Sequence, residues 1–263
     1  MDFSPFEKLT IEALEDCNGE LKHCAKNAIS HLKKSWEIRS IDLEMAMFRS
    51  ITAEEEAASA FFYCIKNHKY KNSDKLKFKQ HIYKLGLFPF IQSIGSFLDD
   101  FVKQDTSPFS EYRIKHIDLS GRKAIELLLF IKNQDVVARP TPPLHFTISD
   151  EESKEVCTFE HNFKKLIEGS SYTNALKHIK DIANTRNKLL YANSSGSPKV
   201  EGNIEGYIKE QKKKVMVILT LLLMVDPWQK EEGHSLFVQQ ALDSFLLLLK
   251  RISSEDVFQP RLQ

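Results

Sequence analysis

Residues 40–67 read SIDLEMAMFRSITAEEEAASAFFYCIKN, and this stretch decides the class of fold. Ile41, Phe48, Ile51, Ala58, Phe62 and Ile65 recur at three-, four- and seven-residue spacing, the repeat of one face of an α-helix. Ser40 stands where a capping residue belongs, and Glu44 lies near the first turn. Glu55 occupies the missing turn of the stripe, while Glu54 and Glu56 fall to either side, where solvation is easier. A carboxylate on an apolar stripe needs a partner, because burying an unpaired charge is strongly unfavourable.

A second stretch supplies the complementary charge. Along residues 174–191, Leu176, Ile179, Ala183 and Leu190 form a helical stripe, and Arg186 fills its gap. Glu55 and Arg186 are therefore natural partners between two packed helices. Such a pair serves either as a buried salt bridge that fixes helix register, or as an anion site whose arginine is oriented by the carboxylate. In the second reading Asn187 and Tyr191, one turn apart, share a face beside it.

Outward from these two segments the chain keeps its helical period. Ile11, Leu14, Leu21, Ala25, Ala28 and Leu32 read as one amphipathic helix, in which Cys17 and Cys24 share a face beyond disulfide reach. Two helices are expected over 73–103, broken at Gly86 and Pro89, since proline removes a backbone donor and restrains Phe88 before it. Further helices are expected over 159–168, 171–191, 207–224 and 234–252, with a loop at 193–198. The texture changes over 106–150. Tyr112, Ile114 and His116 alternate, Ser120-Gly121 can turn, and Ala124–Ile131 and Leu144–Ile148 are apolar runs. The rival reading of 122–132 is a helix, because a short apolar run has no decisive period. The fold expected is mainly α: a single helical domain over 1–263, with a small β-hairpin or sheet inserted around residues 112–148.

The 263 residues carry 37 Lys and Arg against 36 Asp and Glu, with 42% hydrophobic content. That balance excludes disorder and bulk electrostatic coating of nucleic acid. Walker, Rossmann, nucleophile-elbow and zincin motifs are missing. The first ten residues lack a secretory apolar core, and the four cysteines form no C-x-x-C, so a reduced cytoplasmic protein without metal is expected. Val215–Val225 is too short for the ~20 residues of a membrane span. This run and Phe237–Leu249 serve either the core or a dimer interface, core being the simpler use.

Arg186-Asn187-Lys188-Leu189-Leu190-Tyr191 resembles the arginine-polar motif of the HEPN superfamily, helical proteins of toxin–antitoxin and phage-defence systems. Glu54-Glu55-Glu56-Ala57-Ala58-Ser59-Ala60 is similar to the acidic-then-small pattern of an earlier HEPN helix. Residues 186–198, motif plus Gly/Ser/Pro loop, are similar to abortive-infection proteins of the AbiV type. The resemblance spans roughly 41–67 and 171–223. It implies a helical bundle that cleaves or binds RNA without metal or cofactor, often as a homodimer with its site across the two-fold axis. Arg186 would stabilise phosphate charge, with Asn187, Tyr191 and a supporting Glu55 around it. The sequence departs from the family at the histidine: its positions hold Tyr191, Ala192 and Asn193. A tyrosine titrating near its ordinary ~10 is a poor general base at neutral pH. The histidine would have to come from elsewhere, His178 or His81 for instance. That departure shifts weight toward RNA binding, or toward a non-catalytic module that binds a protein partner or itself.

The neutral total also hides local bias. Cys64–Lys84 holds seven lysines against Asp74 alone, and Ala175–Lys214 holds nine basic residues against four acidic ones. Lys75, Lys77, Lys79, Lys84 and Lys188 are the expected RNA contacts, with Tyr70, Phe78 and Tyr83 interleaved for stacking. The competing reading is that these lysines only solubilise helix surfaces.

Overall fold

In the computed structural model the described residues are 1–119, 121–140, 144–149, 156–167, 181, 184–186, 188–189, 199–228 and 231–255. The helices are α1 (Pro5–Leu14), α2 (Gly19–Ile38), α3 (Leu43–Asn67), α4 (His81–Lys103), α5 (Glu160–Ile167), α6 (Ile204–Met224) and α7 (Leu236–Glu255). Between α4 and α5 lies a three-stranded antiparallel sheet in the order β1 (Phe109–Leu119), β2 (Arg122–Ile131), β3 (Val137–Ala138). The molecule is a helical bundle with a small β insert, the class expected from the sequence.

Local chemistry sets the helix ends. Ser4 and Glu7 close a reciprocal capping box at α1, with Pro5 in the first turn. Asp42, one turn before Met45, accepts that residue's N–H at 2.9 Å and starts α3, so the cap is Asp42 and not Ser40. The N-terminal pattern divides into two helices: Glu15–Asn18 leaves helical geometry, and Gly19 takes φ +64°, a conformation that glycine adopts without strain. Cys17 thus lies in the connection, not on a continuous face with Cys24. Both thiols are free, and burial pushes Cys17 up to about 12 and Cys24 to about 11.

α3 is the central element. α2 packs along one side of it and α6 along another, and Ala46, Ala53, Ala57, Ala58 and Ala60 are fully buried, which lets backbones approach closely. The C-terminal half of α6 is buried on nearly all sides, from Val215 to Met224. With Phe237, Leu242 and Phe245 of α7 it joins the main hydrophobic core, so both apolar runs are used for packing inside the chain.

α4 corrects the expected break at Gly86 and Pro89. It runs unbroken from His81 to Lys103 with Pro89 inside it. A proline in a helix interior costs ~3 kcal/mol. Leu85, Leu87, Phe88 and Phe90 are all buried around it. Each such side chain contributes ~1.5–3 kcal/mol on burial, so packing outweighs the lost hydrogen bond.

In the insert, residues 122–131 form a strand and not a helix. β1 and β2 pair with Tyr112 opposite Leu129, Ile114 opposite Leu127 and His116 opposite Ile125. The third strand is Val137–Ala138; Leu144–Ile148 is not a strand, and beside it Ser149 bridges Val156. His116 docks the sheet on α1: its Nε2 lies 3.2 Å from the Phe6 carbonyl and 3.2 Å from Thr10 Oγ1. Among the described residues no helix is long and apolar enough to cross a membrane.

Candidate functional site

Glu55 lies on the buried face of α3 with only 3% of its side chain exposed. Its carboxylate is held from two directions. Oε1 is 2.5 Å from His81 Nδ1, and Oε2 is 3.3 Å from Arg186 Nε. The expected pairing of Glu55 with Arg186 is therefore present, and His81 joins it.

Each partner is delivered by a different element. His81 is the first residue of α4, so the helix start carries the imidazole toward the middle of α3. Arg186 belongs to a helical stretch at 184–186, and just beyond it Leu189 N donates to the Thr185 carbonyl at 3.0 Å. Leu189 packs with Ile51 and Leu85 in a small apolar cluster of its own, which Met47, Phe48, Ile82, Val200 and Tyr207 border. The guanidinium carbon sits 4.8 Å over the Phe48 ring, a cation–π contact that positions it without neutralising it. Glu44 adds a tie from the same helix by accepting the Val200 N–H at 2.8 Å.

The exposures are graded. The His81 side chain is 34% exposed and that of Arg186 20%, so an acid beneath carries an imidazole and a guanidinium at the rim. With Nδ1–H donated to Glu55, the hydrogen bond assigns the His81 tautomer and leaves Nε2 as the basic nitrogen. His31 on α2 is a further histidine of this neighbourhood. Burial first, then the positive charge of Arg49, holds its pKa below the ordinary range, and Arg186 and Lys34 act in the same direction.

Several expectations are corrected here. Glu54 is not solvated: it is 1% exposed and lies 3.4 Å from Lys214 of α6. The reason is that α6 covers the side of α3 that the apolar stripe leaves polar. Burial raises the Glu54 pKa, and Lys214 opposes that shift. Tyr70 is not a stacking platform; it is buried, and its hydroxyl accepts the Ser235 N–H. Phe78 is half-buried against Phe62 and Tyr63.

The expected basic contacts lie at the surface. Lys75, Lys77 and Lys79 are exposed on the turn leading into α4, and Lys188 is exposed two residues beyond Arg186. Lys84 is half-buried, about one turn past His81 on α4. Asn187, Tyr191 and His178 lie outside the described residues. Among the described residues no group of His, Cys, Asp and Glu could hold a metal ion. Comparison with protein-family models, curated proteins and solved structures finds no match to the chain.

Proposed function

We propose that this chain is a HEPN-like component of a bacterial defence or toxin–antitoxin type system that cleaves RNA without a metal ion. The observation that carries the reading is Glu55 bridging His81 and Arg186. RNA contains its own nucleophile, the ribose 2′-hydroxyl, so a base and a cation are sufficient chemistry. His81 Nε2 accepts the hydroxyl proton as the 2′-oxygen bonds to phosphorus. The P–O5′ bond then breaks, the leaving oxygen takes a proton from water, and the imidazolium returns its proton to solvent, producing a 2′,3′-cyclic phosphate and a 5′-hydroxyl. Arg186 stabilises the negative charge that builds on the phosphoryl oxygens, and Glu55 stabilises the imidazolium. In this reading His81 takes the place of the family histidine that the stretch after Arg186 lacks. Lys75, Lys77, Lys79, Lys84 and Lys188 hold the strand, and Asn187 and Tyr191 keep the supporting roles that the resemblance implies.

The test is cleavage of single-stranded RNA in EDTA, with cyclic-phosphate ends as the readout. His81→Ala and Arg186→Ala should each lower the rate ~10²–10⁴-fold while thermal melting shows a folded protein. A folded parent that leaves RNA intact across a panel of substrates would overturn the enzyme reading.

A second reading rests on the near-complete burial of Glu55: the cluster is a clamp that joins α3, α4 and the Arg186 segment in a non-catalytic interaction or dimerisation module. Under either reading Glu55→Gln should destabilise the fold by ~3–5 kcal/mol in urea titrations, and by less in an Arg186→Met background. Equal losses in both backgrounds would show that the pair does not couple. Cleavage separates the two readings, and a sedimentation measurement of the full chain reads the expected homodimer.

A further inference from the structure

A second site lies away from the Glu55 cluster and shares no residue with it. The sheet, α1, α3, α4, α6 and α7 line a half-open apolar cavity of about 410 Å³. Its walls include Ile91 and Ile94 of α4, Leu127 of β2, Met216 and Leu221 of α6 and Leu242 of α7. An apolar void in a close-packed core forfeits dispersion contacts in proportion to its size. This one is well over twice the ~150 Å³ of an engineered apolar cavity that takes up benzene. It also falls within the ~300–1,000 Å³ range of small-ligand pockets.

Two observations narrow the occupant. Glu7 and Lys213 are the charged residues in the lining. Glu7 is neutralised by Lys212, whose Nζ is 2.9 Å from its carboxylate, whereas Lys213 is exposed and makes no ion pair among the described residues. The charge left over at the rim is therefore positive. Gly95 also lines the cavity, and a Cβ placed there meets no atom within 4 Å, so the open space reaches the α4 backbone.

We infer that the cavity binds a long-chain carboxylate, a free fatty acid whose hydrocarbon chain lies among these walls and whose head pairs with Lys213. One chain suits the volume, and Lys213, without an ion pair among the described residues, suits one carboxylate.

The full chain is titrated with the fluorescent polyene cis-parinaric acid, and palmitate, hexadecanol and lysophosphatidylcholine are then added as competitors. Saturable one-to-one binding with displacement by palmitate is expected. Gly95→Phe should weaken binding at least tenfold with an unchanged or higher melting temperature, because the ring fills empty space. Ala241→Phe, on α7, serves if the first variant does not fold. Lys213→Glu should weaken palmitate about tenfold and leave hexadecanol unchanged. Non-saturable uptake, or binding indifferent to a folded cavity-filling variant, would overturn the site. Equal effects of Lys213→Glu on acid and alcohol would overturn the head-group assignment, and displacement by the lysolipid alone would overturn the free acid as occupant. Since the RNA cluster lies elsewhere, these outcomes are independent of cleavage.

Discussion

Glu55 shows how much chemistry one misplaced charge in a periodic sequence can carry. Its place on an apolar stripe required a partner, and Arg186, the misplaced cation of another stripe, lies 3.3 Å away. The spacing around Glu55 pointed to no histidine, because His81 is 26 residues distant in the chain and reaches it only through the packing of α4. Glu54 departs from its expected solvation for a related reason: periodicity ranks the faces of one helix but is blind to a second helix covering another face. His116 has a measurable consequence of its own. Burial lowers its pKa below the ordinary 6.5, and its buried Nδ1 has no hydrogen-bond partner among the described residues. The folded state thus favours the neutral ring. Its contribution is fully present above pH 6.5 and is lost as pH falls through the lowered folded value. Urea titrations at pH 7.5 and 5.5 should show lower stability at the acid end, and His116→Phe should narrow that difference. An unchanged difference would mean that His116 does not titrate on unfolding.

At the scale of elements, local signals and tertiary packing contribute unequally. The capping box at Ser4 and the small, apolar repeat of α3 are written in adjacent residues, so their helices follow from the chain itself. α4 is the opposite case, since Pro89 argues for a break and the burial of its neighbours overrides it. In the insert, β2 was ambiguous between strand and helix until β1 offered a paired edge. Asp42 links element to site, because it fixes where α3 begins and hence the frame that carries Glu55. Asp42→Ala should cost ~1 kcal/mol, read as a lower denaturation midpoint with unchanged slope. If the site matters for RNA, cleavage under conditions of full folding should persist, since the cap lies more than three turns from Glu55.

Over the whole molecule the balanced charge resolves into separate regions. The turn that presents Lys75, Lys77 and Lys79 feeds directly into the helix that starts with His81, so a basic rim leads to the cluster. If these lysines hold single-stranded RNA, replacing all three with glutamine should flatten the slope of log affinity against log salt by about 2. An unchanged slope would assign them to solubility alone. The sequence by itself determined the class of fold and pointed to the Glu55–Arg186 pair, because each depends on periodicity or on a charge out of place within one segment, whereas the strand at 122–131 needed its pairing with β1. Tertiary structure alone decided the third member His81, the burial of Glu54 and the cavity beside Lys213. Each of these depends on which surfaces meet, and distant surfaces meet through side-chain volume and packing, which no local spacing encodes.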